Sequence, residues 1–283
     1  MTVEIKNEIV TVKIEELGAE IVSAVNNADE FEYIWQADPE IWARHAPNLF
    51  PIIGTLKDGK TIIDGVEYEI PQHGFARDMK FKVVESDDLR AVFELKSSAA
   101  TKKMYPFDFV LRIVYELDEE NLNIQYQVEN PSNNELLYSI GGHPAFNIEL
   151  GKATLESNYA YNTYRLDNKH LVDFEEIASK SPINGVEIKH REFNNDAWIV
   201  DTFRPSIFTV KENKLHTVTV VSNAPYTGVW TTNTSNPGDF IAVEPWWGVA
   251  DTNDTTGVFE DKKGLQKTPA GQTDVYDWQI SFD

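Results

Sequence analysis

The sequence predicts an all-β protein built as one large antiparallel β-sandwich. Apolar and polar residues alternate with a period of two through most of the chain, which is the signature of strands with one buried face. Helical periodicity is scarce, so crossover helices for a parallel sheet are missing. Strand-like segments recur at regular spacing with turn residues between them, as in sandwiches and barrels. A length of 283 residues suits a single β-rich domain, and no Pro/Gly-rich linker interrupts it, so one domain over residues 1–283 is expected.

In chain order, Val3-Glu-Ile and Ile9 to Ile14 flank Asn7-Glu8 and read as a hairpin. Asp38-Pro39 places proline where a first helical turn accepts it, so a short helix over Asp38 to Ala46 is expected. Thr61 to Ile70 carries Asp64-Gly65 between two β-prone runs, which favours the primed turn of a right-twisted hairpin. Ser97 to Met104 suggests another helical turn or two. The row Phe109, Leu111, Ile113, Tyr115, Leu117 is a strand, as is Leu122, Ile124, Tyr126, Val128 against Asn123, Gln125, Gln127, Glu129. Thr231 to Asp239 and Asp251 to Gly264 are polar connections. Trp278, Ile280 and Phe282 form a closing strand.

Composition excludes several functions. The chain has no cysteine, which removes disulfides, a thiol nucleophile and Cys-ligated zinc or iron–sulfur sites. A formal charge of −21 repels polyanions, so neither nucleic acid nor an anionic membrane is an expected partner. Met1 to Glu8 has no basic start and no apolar core, and no apolar run approaches the roughly 20 residues of a membrane span. A cytoplasmic location is therefore expected. On that reading, the glycosylation-like sequons at Asn233 and Asn253 are chance matches.

One motif is misleading. Gly54 to Thr61 spells the phosphate-loop pattern G-x-x-x-x-G-K-[ST]. That loop works only between a buried strand and a helix N-terminus, and here a hairpin follows. A nucleotide site is not expected.

Of the 6 histidines, none forms a close metal-binding pair, and no metal is expected. His170, His190 and His216 sit in polar surroundings and read as surface or satisfied imidazoles. His45 precedes Pro47 and is assigned no role. His73 lies in Pro71-Gln-His-Gly-Phe-Ala-Arg-Asp78. His143 lies in Gly141-Gly-His-Pro-Ala-Phe-Asn147, where paired glycines let backbone approach a ligand and Pro144 fixes the direction of the chain. Rigid punctuation beside Phe146 suits a proton-transfer histidine, though a turn histidine packed on an aromatic would look the same. Glu244, in Ile241-Ala-Val-Glu-Pro-Trp-Trp-Gly248, lies beside apolar surface that would raise its pKa and make it a better base. Trp246 and Trp247 could stack on the apolar face of a sugar ring. Neighbours on a strand face opposite ways, so at least one of them belongs to the core.

Together these segments resemble the aldose 1-epimerase (galactose mutarotase) family, and most of all its shorter bacterial branch of mutarotase-related, LacX-type proteins. The resemblance rests on Pro47-Asn-Leu-Phe-Pro-Ile-Ile-Gly54, His73-Gly-Phe-Ala-Arg-Asp78, Gly141-Gly-His-Pro-Ala-Phe-Asn147, Asn195-Asp196-Ala197 and Glu244-Pro-Trp-Trp-Gly248, which follow in order along nearly the whole chain. It implies a β-supersandwich and a cofactor-free interconversion of the α and β anomers of a free aldose. By position it implies Glu244 as general base and His143 as general acid. His73, Asp196 and Arg77 would contact the sugar, with Phe75, Phe146, Trp246 and Trp247 around them. One departure is an arginine that galactose mutarotases carry in the stretch corresponding to Asn48–Leu56. This chain has none there, and Lys57 is the nearest cation.

Three rivals share parts of this pattern. A hexose-6-phosphate 1-epimerase has the same His-Gly-Phe-Ala-Arg run and would use Arg77, Lys57, Lys60 or Arg44 for phosphate, against the −21 background. A non-catalytic carbohydrate-binding protein would also expose tryptophans on a sandwich, but would not need His143 and Glu244 in one pocket. A glycoside hydrolase would pair Asp196 with Glu244 and leave the histidine motifs unexplained.

Overall fold

The computed structural model describes residues 1–149, 151–194, 196–211, 216–232 and 238–283. They form the expected antiparallel all-β architecture, in which every helical segment is a short 3-10 turn. A nine-stranded sheet and an eight-stranded sheet dominate, joined by a three-stranded sheet and two two-stranded ones.

The nine-stranded sheet centres on Val110–Asp118, Asn121–Glu129 and Thr273–Phe282, the three rows most legible in the sequence. Asn121–Glu129 pairs with both of the others across its whole length, so that Leu122 faces Leu117 and Ile280. Its burial alternates strictly, with Leu122, Ile124, Tyr126 and Val128 inside. In the eight-stranded sheet, Phe240–Trp247 lies between Tyr226–Trp230 and Ile140–Gly142. Ile241, Val243 and Trp247 from this strand share one apolar cluster with Leu122, Ile124, Tyr126 and Ile280 from the nine-stranded sheet. The core is therefore the layer between the two sheets. The even-numbered residues Ala242, Glu244 and Trp246 point the other way. Ala242 and Trp246 belong to separate small clusters on that outer face, where loops cover the sheet.

The N-terminal hairpin forms as expected, with Thr2–Lys6 paired to Val10–Glu15. So does the hairpin of Lys60–Ile63 and Val66–Glu69. Asp64 and Gly65 have φ of 50° and 78°, the pair of left-handed residues that its primed turn requires. The phosphate-loop look-alike is one 3-10 turn, Lys57–Gly59, that runs straight into this hairpin.

The helix expected over Asp38 to Ala46 is a single turn in which the Ile41 and Trp42 N–H groups donate to the Asp38 carbonyl. It does not propagate, because the His45 and Ala46 N–H groups are taken by the buried carboxylate of Glu20 instead of by helical carbonyls. Ser97 to Met104 is likewise reduced to Thr101–Lys103, with Ser98 and Thr101 capping each other. Within the polar connections, residues 233–237 of the Thr231 to Asp239 stretch, and with them the Asn233 sequon, lie outside the described residues. Asn253 lies within the other connection, its N–H donating to the Val172 carbonyl. Among the described residues, no helix is long and apolar enough to cross a membrane.

Candidate active site

Because Glu244 stands on the outward face of its strand, it forms the floor of a cleft rather than part of the core. The cleft has a volume of about 280 Å³, near the lower end of the range for small-molecule sites. Gly228 lies directly across from Glu244 on the neighbouring strand. Its missing side chain makes room for the Trp246 indole, since a Cβ there would come within 2.4 Å of that ring.

His143 arrives from the other side. Ile140–Gly142 and Ala145–Asn147 both pair with the Glu244 strand, and His143 sits in the bend between them, its N–H donating to the Pro47 carbonyl at 3.0 Å. The glycines before it are needed for close approach. A Cβ on Gly142 would lie 2.7 Å from the Trp278 ring, and one on Gly141 would lie 2.7 Å from the Pro245 carbonyl oxygen. The result is His143 Nε2 at 3.3 Å from Glu244 Oε2.

His73 closes the third side from the loop after the Asp-Gly hairpin, with φ of 63°. Its N–H donates to the Gly54 carbonyl, and the Gly54 N–H donates back to its Nδ1 at 3.2 Å. Accepting at Nδ1 fixes the neutral ring with its proton on Nε2. The rings of His73 and His143 meet edge to face at 5.7 Å.

Burial dominates the electrostatics. Glu244 is 1% exposed, His143 7% and His73 9%. Loss of water pushes the Glu244 carboxyl well above its ordinary range. The Asp196 charge adds to this, and the Trp246 indole partly offsets it. The same loss of water lowers His143 to about 3 and holds His73 well below its usual value, with Arg77 and Arg44 nearby acting in the same direction. Glu244 Oε2, apart from the His143 contact, makes no hydrogen bond of normal geometry, and neither do His143 Nδ1 and Arg77 Nε, the last 3.8 Å from Asp78 Oδ2. Buried polar atoms left open together in one cleft mark a place built for a polar ligand.

The expected residues therefore divide. Glu244, His143, His73, Asp196, Arg77 and Trp246 all line the cleft. Asp196 extends from the turn after residue 195, which lies outside the described residues. Phe75, Phe146 and Trp247 are core residues. Phe75 packs against Phe50, Tyr105 and Phe109. Phe146 lies opposite core-facing Ile241, and Trp247 packs against Tyr126 and Tyr276. The aromatic walls are instead Trp42, stacked on His143 at 4.9 Å, and Trp230, edge-on to it at 5.7 Å. Trp230 was readable from alternation with Gly228, but Trp42 had no local signal. His170 is the surface, hydrogen-bonded imidazole expected, its side chain 55% exposed and its Nδ1 at 2.6 Å from Asp196 Oδ2, but it also stands at the edge of the cleft, which its polar neighbours did not signal. Among the described residues, no three His, Asp or Glu side chains gather in a metal-binding cluster.

Fold and cleft together define an all-β, galactose mutarotase-like protein. Solved structures share the whole architecture. A galactose mutarotase related enzyme from Lactobacillus acidophilus superposes with a TM-score of 0.96 and 30% identity, covering 100% of this chain and 97% of its own. A galactose mutarotase-like protein from Lactobacillus casei gives a TM-score of 0.89 at 27% identity, over 100% of both chains. Among curated sequences, the LacX protein of Lactococcus lactis is 29% identical over 298 residues, 100% of this chain and 99% of its own. The aldose 1-epimerase family model matches residues 1–260, and the chain belongs to the aldose 1-epimerase family. It is an isomerase of the epimerase kind.

Proposed function

We propose that the protein interconverts the α and β anomers of a free hexose by acid–base ring opening, with Glu244 and His143 as the reacting pair. The observation that carries this is their 3.3 Å separation on the floor of a cleft walled by Trp42 and Trp230. Groups that close can address the two oxygens bonded to C1 at the same time, as a non-catalytic binding site would not require.

Glu244 takes the proton of the C1 hydroxyl while His143 gives one to the ring oxygen. The C1–ring oxygen bond breaks and the aldehyde forms. Rotation about C1–C2 exposes the other carbonyl face, and closure returns both protons. The open-chain state carries a protonated Glu244 and a neutral His143. Burial favours that arrangement in the open-chain state and in the empty cleft alike, so the proton passes from Glu244 to His143 before the ring opens. His73, held as an Nε2–H donor, hydrogen-bonds the sugar without exchanging a proton. Each member of the acid–base pair contributes roughly 10²–10⁴-fold, and fixing the sugar lowers the entropic part of the barrier. Glu244→Gln leaves the fold intact and lowers kcat by about 10³-fold. Polarimetric or NMR anomer exchange unchanged by this substitution rules the mechanism out.

A phosphorylated hexose is the second reading. Arg77 lines the cleft, its Nη2 donating to the Gln72 carbonyl while its Nε lies 3.8 Å from Asp78 Oδ2 without a hydrogen bond. Measuring anomer exchange on glucose, galactose and glucose 6-phosphate side by side separates the two.

A further inference from the structure

We infer that His170 joins Asp196 as a substrate-positioning pair that accepts two hydroxyls on adjacent carbons of the sugar. The inference rests on the reading of the cleft as a sugar site and adds a residue that the reaction itself does not require. Asp196 and His170 both line the cleft, and the Asp196 charge is felt at Glu244 on its floor. Both are non-glycine residues in the left-handed region, with φ of 63° and 59°. Such backbone persists only where the surroundings enforce it, and it collects at functional sites.

Each residue is enforced by its own contacts. His170 sits at the tip of a tight turn. The Asp167 carboxylate takes the N–H groups of Lys169 and Leu171, and the Asp167 carbonyl takes that of His170. Leu171 and Val172 behind it are buried, and the Val172 N–H donates to the Asp251 carbonyl. Asp251 is itself fixed by a buried ion pair with Lys262 at 2.8 Å and by the Lys57 N–H. On the other side, Asp196 Oδ1 takes the Ala197 N–H at 2.8 Å and Oδ2 meets His170 Nδ1 at 2.6 Å.

These bonds decide what the pair can offer. With Nδ1–H given to the carboxylate, the second ring nitrogen of a neutral imidazole is an acceptor. The carboxylate keeps lone pairs on both oxygens. Two acceptors locked side by side match the donors of a vicinal diol, which every aldohexose presents away from C1. Neutral amides or water-facing serines would give no such fixed pairing.

His170→Gly is the cleanest variant, because glycine adopts the left-handed φ without strain and removes only the imidazole. Binding is read by NMR titration with glucose, galactose and the four monodeoxyglucoses (2-, 3-, 4- and 6-deoxy). The expected result is a five- to tenfold weaker affinity for the parent sugar that this protein binds best. For one deoxy sugar the variant and the wild type bind alike, since the hydroxyl His170 would take is already gone. In turnover, KM rises by the same factor while kcat falls less than threefold. Equal weakening across all the sugars, or none at all, overturns the pair. A wild-type protein that binds aldoses without exchanging their anomers overturns the proposed reaction alone. One that binds no aldose overturns both.

Discussion

Glu244 and His143 present a problem of proton placement. Burial moves their pKa values apart in opposite directions, the carboxyl up and the imidazole to about 3, so the pair holds one proton over a wide pH range. Catalysis needs that one-proton state. The bell-shaped profile of kcat/KM expected for a carboxylate and a histidine should therefore be broad, with its acid limb well below the ordinary histidine value of 6.5. A limb centred near 6.5 would show that His143 is hydrated in solution. The same shifts act on stability. Glu244, raised in the fold, favours the native state below its ordinary 4.5 and loses that contribution as pH rises towards its folded value. His143, lowered in the fold, favours the native state above 6.5 and loses that contribution as pH falls towards about 3. Urea unfolding of wild type and Glu244→Gln at pH 5 and pH 8 isolates the first effect. The variant should gain on the wild type by more than about 1 kcal/mol between the two, at 1.36 kcal/mol for each unit of pKa difference. A gap that does not change with pH would contradict the buried-acid assignment.

At the level of elements, period-two alternation located the strands, and it also explains why part of the site was misread. Phe146 and Trp247 sit in the right segments, but one-residue offsets turn them into the core with Ile241 and Val243. No local pattern says which face of a strand meets the other sheet and which meets the covering loops. Trp42 was harder still. It reaches the cleft from a helix-like segment stopped after one turn by the Glu20 carboxylate, a contact more than 20 residues away in sequence. His143, Glu244 and His73 were legible because glycines and prolines fix their backbones locally. Gly228 extends this logic to a position that carries no chemistry. Gly228→Ala would drive a Cβ to 2.4 Å from the Trp246 ring and push the indole over Glu244. We expect a loss of about 1–3 kcal/mol in urea unfolding, the usual cost of overpacking. A KM increase larger than the fall in kcat should accompany it, because the displaced ring occupies sugar space before it disturbs the acid–base pair. An unaltered KM would place Trp246 outside the sugar's reach.

For the whole molecule the decisive property is a formal charge of −21 set against a cleft that holds Arg77 and two buried histidines. A neutral hexose feels neither the distant field nor its screening. Its kcat/KM should stay within about twofold between 10 and 200 mM salt, over which the Debye length falls from roughly 30 Å to under 10 Å. Glucose 6-phosphate meets two opposing effects. The surrounding carboxylates repel the dianion at long range, and added salt would weaken that repulsion and raise its rate. A phosphate held directly by the Arg77 guanidinium would instead lose affinity as salt rises. With 46 acidic against 25 basic residues, the long-range effect should dominate. Glucose 6-phosphate should then be the poorer substrate at low salt and gain on glucose as salt increases. A phosphorylated sugar that is preferred at low salt and declines with added salt would reverse that order and assign the half-buried Arg77 to a phosphate group.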